Sequence, residues 1–341
     1  MNRLVIRVAA SALLALGFAT SAGAQTAPRD CNRQCLLDLG EQYLRALAAH
    51  NPRAPAISPD ARYTENGVEL IMPDGIWRTI TAAGPYRLTV ADPQTGTLGL
   101  FSTMEENGAP LILASRLKIE NRQITRIETT IARRESQTSA GAGAAMGPRP
   151  EGLTDRPQFS QVLPQDQRRP RWQMIEIANS YFSALENNNG VDHVPPFADD
   201  CHRIENGMAT TNRPRTDPNV PAGPGNFSCR EAFALGYYRE DTRLRDRRFL
   251  AVDEERGLVY AHVYFDHDAA LRSYQLRDGR PITVRRTGPW TWMIAEVFQI
   301  RNGQISQVEA VLLSVPYGMR PNWDDGVRMP SLQEETERAH R

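Results

Sequence analysis

Hydrophobic positions recur with a helical period near the start of each half of the chain. Within Cys35–Pro52, Leu36, Leu39, Tyr43, Leu44 and Leu47 share one face. Within Trp172–Asn189, Met174, Ile177, Ala178, Tyr181, Phe182 and Leu185 do the same. Spacings of three and four predict an amphipathic helix in each segment. A short strand follows each helix, at Ala61–Gly67 and Cys201–Gly207, and both end in Glu-Asn-Gly. Next come Val90–Phe101 and Ala251–Phe265, each reading as strand, Asp-containing turn, strand. The hairpins Leu117–Ile131 and Phe298–Leu312, with polar turns at Asn121–Gln123 and Asn302–Gln304, close the two copies. The offset between copies grows along the chain. The second copy therefore carries insertions, placed at Arg213–Ser228 and Ser273–Gly288. Two copies of this length predict two domains rather than a repeat array.

The length of 341 residues agrees, at ~100–200 residues per domain. The reading divides the chain into a leader (1–24), domain one (25–135), a linker rich in Pro, Gly, Ser and Arg (136–170), domain two (171–318) and a tail (319–341). The linker is expected to be flexible or draped over both domains. The leader has Arg3 and Arg7, an apolar run through Ala9–Phe18, and Ala22-Gly23-Ala24 before Gln25. That is the pattern of a cleaved secretory signal peptide, and it predicts a periplasmic or secreted protein with no membrane attachment after cleavage. Four cysteines suit an oxidising compartment. Three pairings are formally open, and closeness in sequence favours Cys31–Cys35 with Cys201–Cys229. Forty basic side chains balance forty acidic ones, so a broad phosphate-binding footprint is not expected and nucleic acid is excluded as a partner. No phosphate-binding glycine loop, nucleophile elbow or cofactor attachment motif is present.

Helices first and a meander of long strands afterwards predict α+β architecture. The Tyr43–Leu47 helix end, Gly75-Ile76-Trp77 and the closing hairpins carry a resemblance to the nuclear transport factor 2-like superfamily, which includes SnoaL-like polyketide cyclases, ketosteroid isomerases and scytalone dehydratases. More narrowly, the C-x3-C start, Tyr-Thr-Glu-Asn-Gly and Ala-Asp-Pro-x-Thr-Gly resemble a family of secreted fungal and bacterial proteins with tandem SnoaL-like domains of unassigned function. The resemblance implies two tandem cone-shaped domains, each a curved antiparallel sheet wrapped around N-terminal helices. It also implies one deep apolar pocket per cone, in which a few polar residues perform cofactor-free acid–base chemistry. An apolar cavity suits that chemistry because it raises the pKa of a carboxylic acid and strengthens each hydrogen bond inside it.

The candidates are therefore ionisable residues on strands. Glu65 and Glu205 occupy equivalent places on the first strand of each copy, and Glu128 and Glu309 on the last. If those strands are neighbours, as the resemblance implies, each domain holds two carboxylates close together, able to act as acid and base. The competing reading has the same residues closing turns and pairing with arginines. The second copy is richer in titratable groups: His202, Arg203 and Glu205 on its first strand, and His262, Tyr264, Asp266 and His267 on or after a later one. His262 and Tyr264 share a strand face. Glu205, His202 and His262 are the expected proton carriers, and Tyr264 the donor to a developing oxyanion. Tyr63, Glu65, Arg116, Tyr238 and Trp292 are the expected substrate contacts. A metal set of His202, Glu205 and His262 lacks supporting spacing, and neither metal nor cofactor is expected.

The resulting expectation is an exported protein acting on a small organic molecule, aromatic ones included, as a cofactor-independent lyase, dehydratase or isomerase. The alternative is a non-catalytic ligand-binding or assembly protein on the same scaffold. A homodimer and an intramolecular pseudo-dimer are both compatible with the sheet faces.

Overall fold

The computed structural model describes residues 31–54, 56–134, 147–191 and 194–339. The signal peptide expected over residues 1–24 and the first part of the expected linker, 136–146, lie outside the described residues. Domain one has helix α1 (Arg33–Ala48) and strands β1 (Ile57–Glu65), β2 (Val68–Leu70), β3 (Ile80–Asp92), β4 (Thr97–Glu106), β5 (Ala109–Glu120) and β6 (Gln123–Ala132). Domain two has helices α2 (Arg171–Glu186) and α3 (Cys229–Leu235). Its strands begin with β7 (Phe197–Glu205), β8 (Met208–Ala209), β9 (Arg243–Asp253) and β10 (Leu258–His267). They continue with β11 (Ser273–Gln275), β12 (Pro281–Thr283), β13 (Trp290–Arg301), β14 (Gln304–Val315) and β15 (Val327–Met329), and α4 (Leu332–Ala339) is the last element of the described residues.

The first sheet runs β2-β1-β6-β5-β4-β3 and the second β15-β9-β10-β13-β14-β7-β8, the same order with one strand added. Both are mixed: β1 runs parallel to β6 and β7 parallel to β14. The expected class, antiparallel sheets wrapped around helices, is therefore corrected. Each half is sheet-rich, with six or seven strands against one 16-residue helix. The physical reason lies in burial. A single helix covers one face of its sheet, and the opposite face packs on the other domain. All ten residues of β10 are buried, where a sheet with one wet face would alternate.

Inward positions of the second sheet (Val259, Ala261, Val263 and Phe265 on β10) pack under α2 with Tyr181 and Phe182. Outward positions join a cluster shared by both domains, including Tyr86, Phe101, Tyr260 and Val297. Gly99 makes this approach possible, because a Cβ there would lie 2.7 Å from the Tyr260 ring. The contact is reciprocal. Arg33 at the start of α1 pairs with Asp253 of domain two, and Arg171 at the start of α2 pairs with Asp92 of domain one at 2.6 Å. From residue 147 the connecting segment is draped over the domains, with Leu153, Phe159 and Leu163 buried. The tail returns as a strap. Trp323 donates to Thr64 Oγ1 at 2.8 Å, beneath the Arg62 guanidinium 4.2 Å from its ring, and Asp325 pairs with Arg116.

The Glu-Asn-Gly repeat has a structural cause. Asn66 and Asn206 both adopt φ near +50°, where asparagine is better tolerated than most residues. Asn206 Nδ2 donates to Leu312 O at 2.9 Å, and Leu312 N donates to Asn206 Oδ1 at 3.0 Å. Asn66 makes the same two bonds with Ile131. Each motif thus ties the first strand to the last. Asn206→Ala would leave a buried N–H and C=O of β14 without these partners and place alanine at a left-handed φ. The expected loss is about 2 kcal/mol, read as a lower urea midpoint at unchanged m-value.

Disulfides join Cys31 to Cys35 and Cys201 to Cys229. The second ties β7 to α3. Among the described residues no helix is long and apolar enough to cross a membrane.

Candidate functional site

Domain two holds a cavity of about 480 Å3 between α2, the Tyr237–Asp241 segment that follows α3, and the inward face of its sheet. This lies within the usual range for small-molecule sites. Its walls are largely apolar and aromatic, with Tyr181, Tyr238, Phe265, Trp290, Trp292 and Ile294 among the lining side chains. The two insertions build its mouth. Arg213, Pro224 and Gly225 of the first line it, and the β11–β12 ribbon of the second packs beside them. There Tyr274 donates to Tyr237 O at 2.6 Å, and Tyr237 donates to Ala222 O at 2.8 Å. The insertions that lengthen the second copy thus supply a rim.

The polar centre of the cavity is Arg203, Glu205 and Glu296. Strand β7 places Arg203 and Glu205 two residues apart on its inward face, and their side chains form an ion pair. Arg203 Nη1 also donates to the Tyr238 hydroxyl at 2.6 Å, and the guanidinium lies 5.5 Å from the Tyr181 ring. The Tyr238 oxygen accepts here, so its own proton remains available to another acceptor. Glu296 comes from β13, on the same face as Trp292 and Ile294. It is 2% exposed, and its Oε2 has no hydrogen-bond partner. Burial pushes its carboxyl up to about 8; the nearby Glu205 charge adds to the effect and Arg203 opposes it. At neutral pH Glu296 is a carboxylic acid beside a carboxylate held by an arginine. Burial likewise raises the Tyr181 hydroxyl well above its ordinary value.

A second polar pair also lines the cavity. His267 Nε2 lies 2.8 Å from Asp241 Oδ1, and the ring stacks on Trp290 at 4.0 Å. Buried atoms without hydrogen-bond partners gather around this chamber: His267 Nδ1, Trp290 Nε1, Trp292 Nε1, Arg203 Nε and Glu296 Oε2. Among the described residues no three His, Cys, Asp or Glu side chains are grouped so as to hold a metal.

Of the residues expected from sequence, Glu205, Tyr238 and Trp292 meet in this cavity. The others lie elsewhere. His262 is buried between the domains, with Nδ1 3.0 Å from Glu128 Oε1 and Nε2 2.7 Å from the Tyr260 hydroxyl. Tyr264 shares that outward face and packs with Met293 and Leu313. His202 is exposed, with Nδ1 3.2 Å from Asn212 Nδ2. In domain one, Tyr63 donates to Glu65 at 2.9 Å. Glu65 also accepts from Ile76 N and Arg133, both at 2.9 Å. Arg116 is 2% exposed at the domain interface, against Asp325 and Trp323.

The first and last strands are neighbours, yet the expected carboxylate pairs do not form. The register sets Thr64 opposite Glu128 and Ile204 opposite Glu309, so Glu65 and Glu205 point inward while Glu128 and Glu309 point outward. Glu309 instead accepts from Tyr86 and pairs with Arg156 at 3.2 Å. Domain one has hydroxyls at inward places: the oxygens of Tyr43, Ser115 and Thr129 lie 3.2–3.4 Å apart. The closing-hairpin alignment sets Ser115 against Glu296 and Thr129 against Ala310. Trp77, fully buried, packs edge-on against Tyr43 and Tyr63 in domain one.

Comparison with known proteins places the chain in a family. The model described as "Domain of unknown function (DUF8021)" matches residues 29–131 and 167–312, well over half the chain, and the chain belongs to that family. No curated protein matches. Among solved structures, a de novo designed protein with a curved β-sheet is similar at 18% identity, covering 29% of this chain and 87% of its own, with a TM-score of 0.25. A likeness that slight carries no argument.

Proposed function

We propose that the domain-two cavity binds a small organic molecule and performs cofactor-independent acid–base chemistry on it, as a lyase, dehydratase or isomerase. The observation that carries this reading is the carboxyl pair: Glu296, neutral at pH 7, beside Glu205, ion-paired to Arg203. Two carboxyls in different protonation states can serve as acid and base at one pH. Glu205 accepts a proton from substrate carbon, and Arg203 holds the carboxylate in place. Glu296 delivers its proton to the oxygen on which charge builds or which departs. Tyr238, its oxygen engaged by Arg203, donates to the same developing charge. The kinship with SnoaL-like proteins belongs to this proposal, as does export to the periplasm or the medium. Two disulfides fit such a compartment.

The test is a screen of cofactor-free elimination and isomerisation substrates with the mature chain, followed by Glu205→Gln. Turnover is expected to fall at least ~100-fold while melting shifts by only a few degrees. A variant that binds and turns over substrate like the parent would overturn the assignment. If the parent binds ligands in the cavity but turns none over, the ligand-binding alternative takes its place.

A further inference from the structure

We infer that the ligand of this cavity is a flat, oxygenated aromatic carboxylate, with its ring between the indole and phenol walls and its carboxylate on Arg213 and Arg149 at the mouth. The inference rests on the small-molecule reading above and names its substrate class. Three observations support it.

The walls set the shape. Trp290 and Trp292 stand edge to face at 6.3 Å, with Tyr181, Tyr238 and Phe265 also lining the chamber. Such surfaces bury a planar ring in offset or edge-on contact.

The unpartnered atoms set the polarity. The indole Nε1 atoms of Trp290 and Trp292 can only donate, and each is buried without an acceptor. A ligand that gives buried donors their missing partners must carry oxygen acceptors, and leaving such donors unpaired is costly. Glu296 presents a proton to one oxygen more.

The charges set the sign. Of the lining acids, Glu205 is ion-paired with Arg203, and Asp241 is engaged by His267 Nε2 at 2.8 Å. Glu296 is neutral at pH 7, and burial raises Glu240 above the usual carboxylate value. Among the described residues neither Arg149 nor Arg213 forms an ion pair. Arg213 is exposed at the mouth; its backbone N donates to Gly225 O at 2.9 Å, its Nη1 lies 3.8 Å from Met208 Sδ, and its guanidinium lies over Gly225 so closely that a Cβ there would sit 2.4 Å from Nη2. A guanidinium at the mouth with no carboxylate of its own suits bidentate capture of a ligand carboxylate.

Calorimetric titration of the full mature chain at pH 7 with 4-hydroxycinnamate and with its methyl ester tests this. The acid is expected to bind at least tenfold more tightly than the ester. Arg213→Gln is expected to remove that preference while leaving ester binding unchanged, and Trp292→Leu to weaken both. Equal affinity for acid and ester, or a preference that survives Arg213→Gln combined with Arg149→Gln, overturns the carboxylate assignment and leaves the acid–base reading standing. Failure of both probes to bind overturns the aromatic assignment. The acid–base reading fails separately, on an ordinary titration of Glu296.

Discussion

Glu296→Gln is expected to make the protein more stable at pH 9 and to leave its stability at pH 4 almost unchanged. In the folded chain this carboxyl titrates near 8, chiefly because burial penalises its charged form. In the unfolded chain it returns to its ordinary value near 4.5. Between those values the folded state holds a proton that the unfolded state has released. Stability therefore falls as pH rises through the window, by up to about 1.4 kcal/mol per unit. Over the whole window the cost is on the order of 4 kcal/mol, less where local relaxation or entering water solvates the charge. Glutamine cannot titrate, so the variant lacks this slope. Urea unfolding of parent and variant at pH 4, 6, 7.5 and 9 should give midpoints that coincide in acid and diverge progressively in base. Parallel midpoints across the series would mean that Glu296 ionises like a surface residue.

The second large effect is expected at the domain interface. Glu128→Ala should lower stability by roughly 3–5 kcal/mol, the cost of breaking a buried ion pair by removing one partner. Glu128 accepts from Arg248, which is 1% exposed, and from His262. Removing the carboxylate leaves the buried Arg248 guanidinium with the more distant Asp325, 3.4 Å from its Nη1, as its remaining carboxylate, and with His262 Nδ1 at 3.4 Å from Nη2. The network also makes the interface acid-sensitive. Burial lowers the His262 pKa below its ordinary 6.5, so the imidazole stays neutral in the fold. Burial raises the Glu128 pKa, but Arg248 and His262 outweigh it and hold the carboxyl well below its usual range. Both groups resist protonation more in the folded chain than in the unfolded one. Their contribution is present above about pH 6.5 and declines below it, first through His262 and then, below about 4.5, through Glu128. Glu128→Ala should lower the plateau and remove the part of the acid limb below about 4.5, while the His262 part remains, because Glu128 is the group that holds the His262 pKa up. A loss under 1 kcal/mol in the urea midpoint series would show that the interface does not depend on this network.

Much of the architecture was legible in the chain because the repeat constrains it. The two Glu-Asn-Gly segments and the two closing hairpins fix the equivalence of β1 with β7 and β6 with β14, and Asn66 and Asn206 make the same bonds. The site was harder to read, for a definable reason. Strand parity sorts side chains into two faces without saying which face is the cavity. Here the outward face is buried too, by the other domain. His262, Tyr264, Arg116 and Glu128 look like pocket residues because polar side chains on a mostly apolar strand suggest a site. They occupy a buried interdomain face instead. Glu296 was missed because it sits alone in the apolar run Trp290–Ile300. Its signal was parity: it falls on the same side as Trp290, Trp292 and Ile294, with Ser115 at the matching place in domain one. The antiparallel expectation failed because the crossover that brings the first strand beside the last leaves no mark in local hydrophobic pattern.

Domain two keeps a neutral carboxylic acid next to an ion-paired carboxylate inside a cavity. The most direct measurement is a carbon-detected NMR titration of the mature chain labelled at the glutamate carboxyl, with Glu296→Gln for assignment. One glutamate resonance, absent from Glu296→Gln, is expected with a midpoint near 8. That midpoint should move down in Glu205→Gln, where the neighbouring negative charge is gone and Arg203 remains. A Glu296 signal titrating in the ordinary carboxylate range, unmoved by Glu205→Gln, would contradict it.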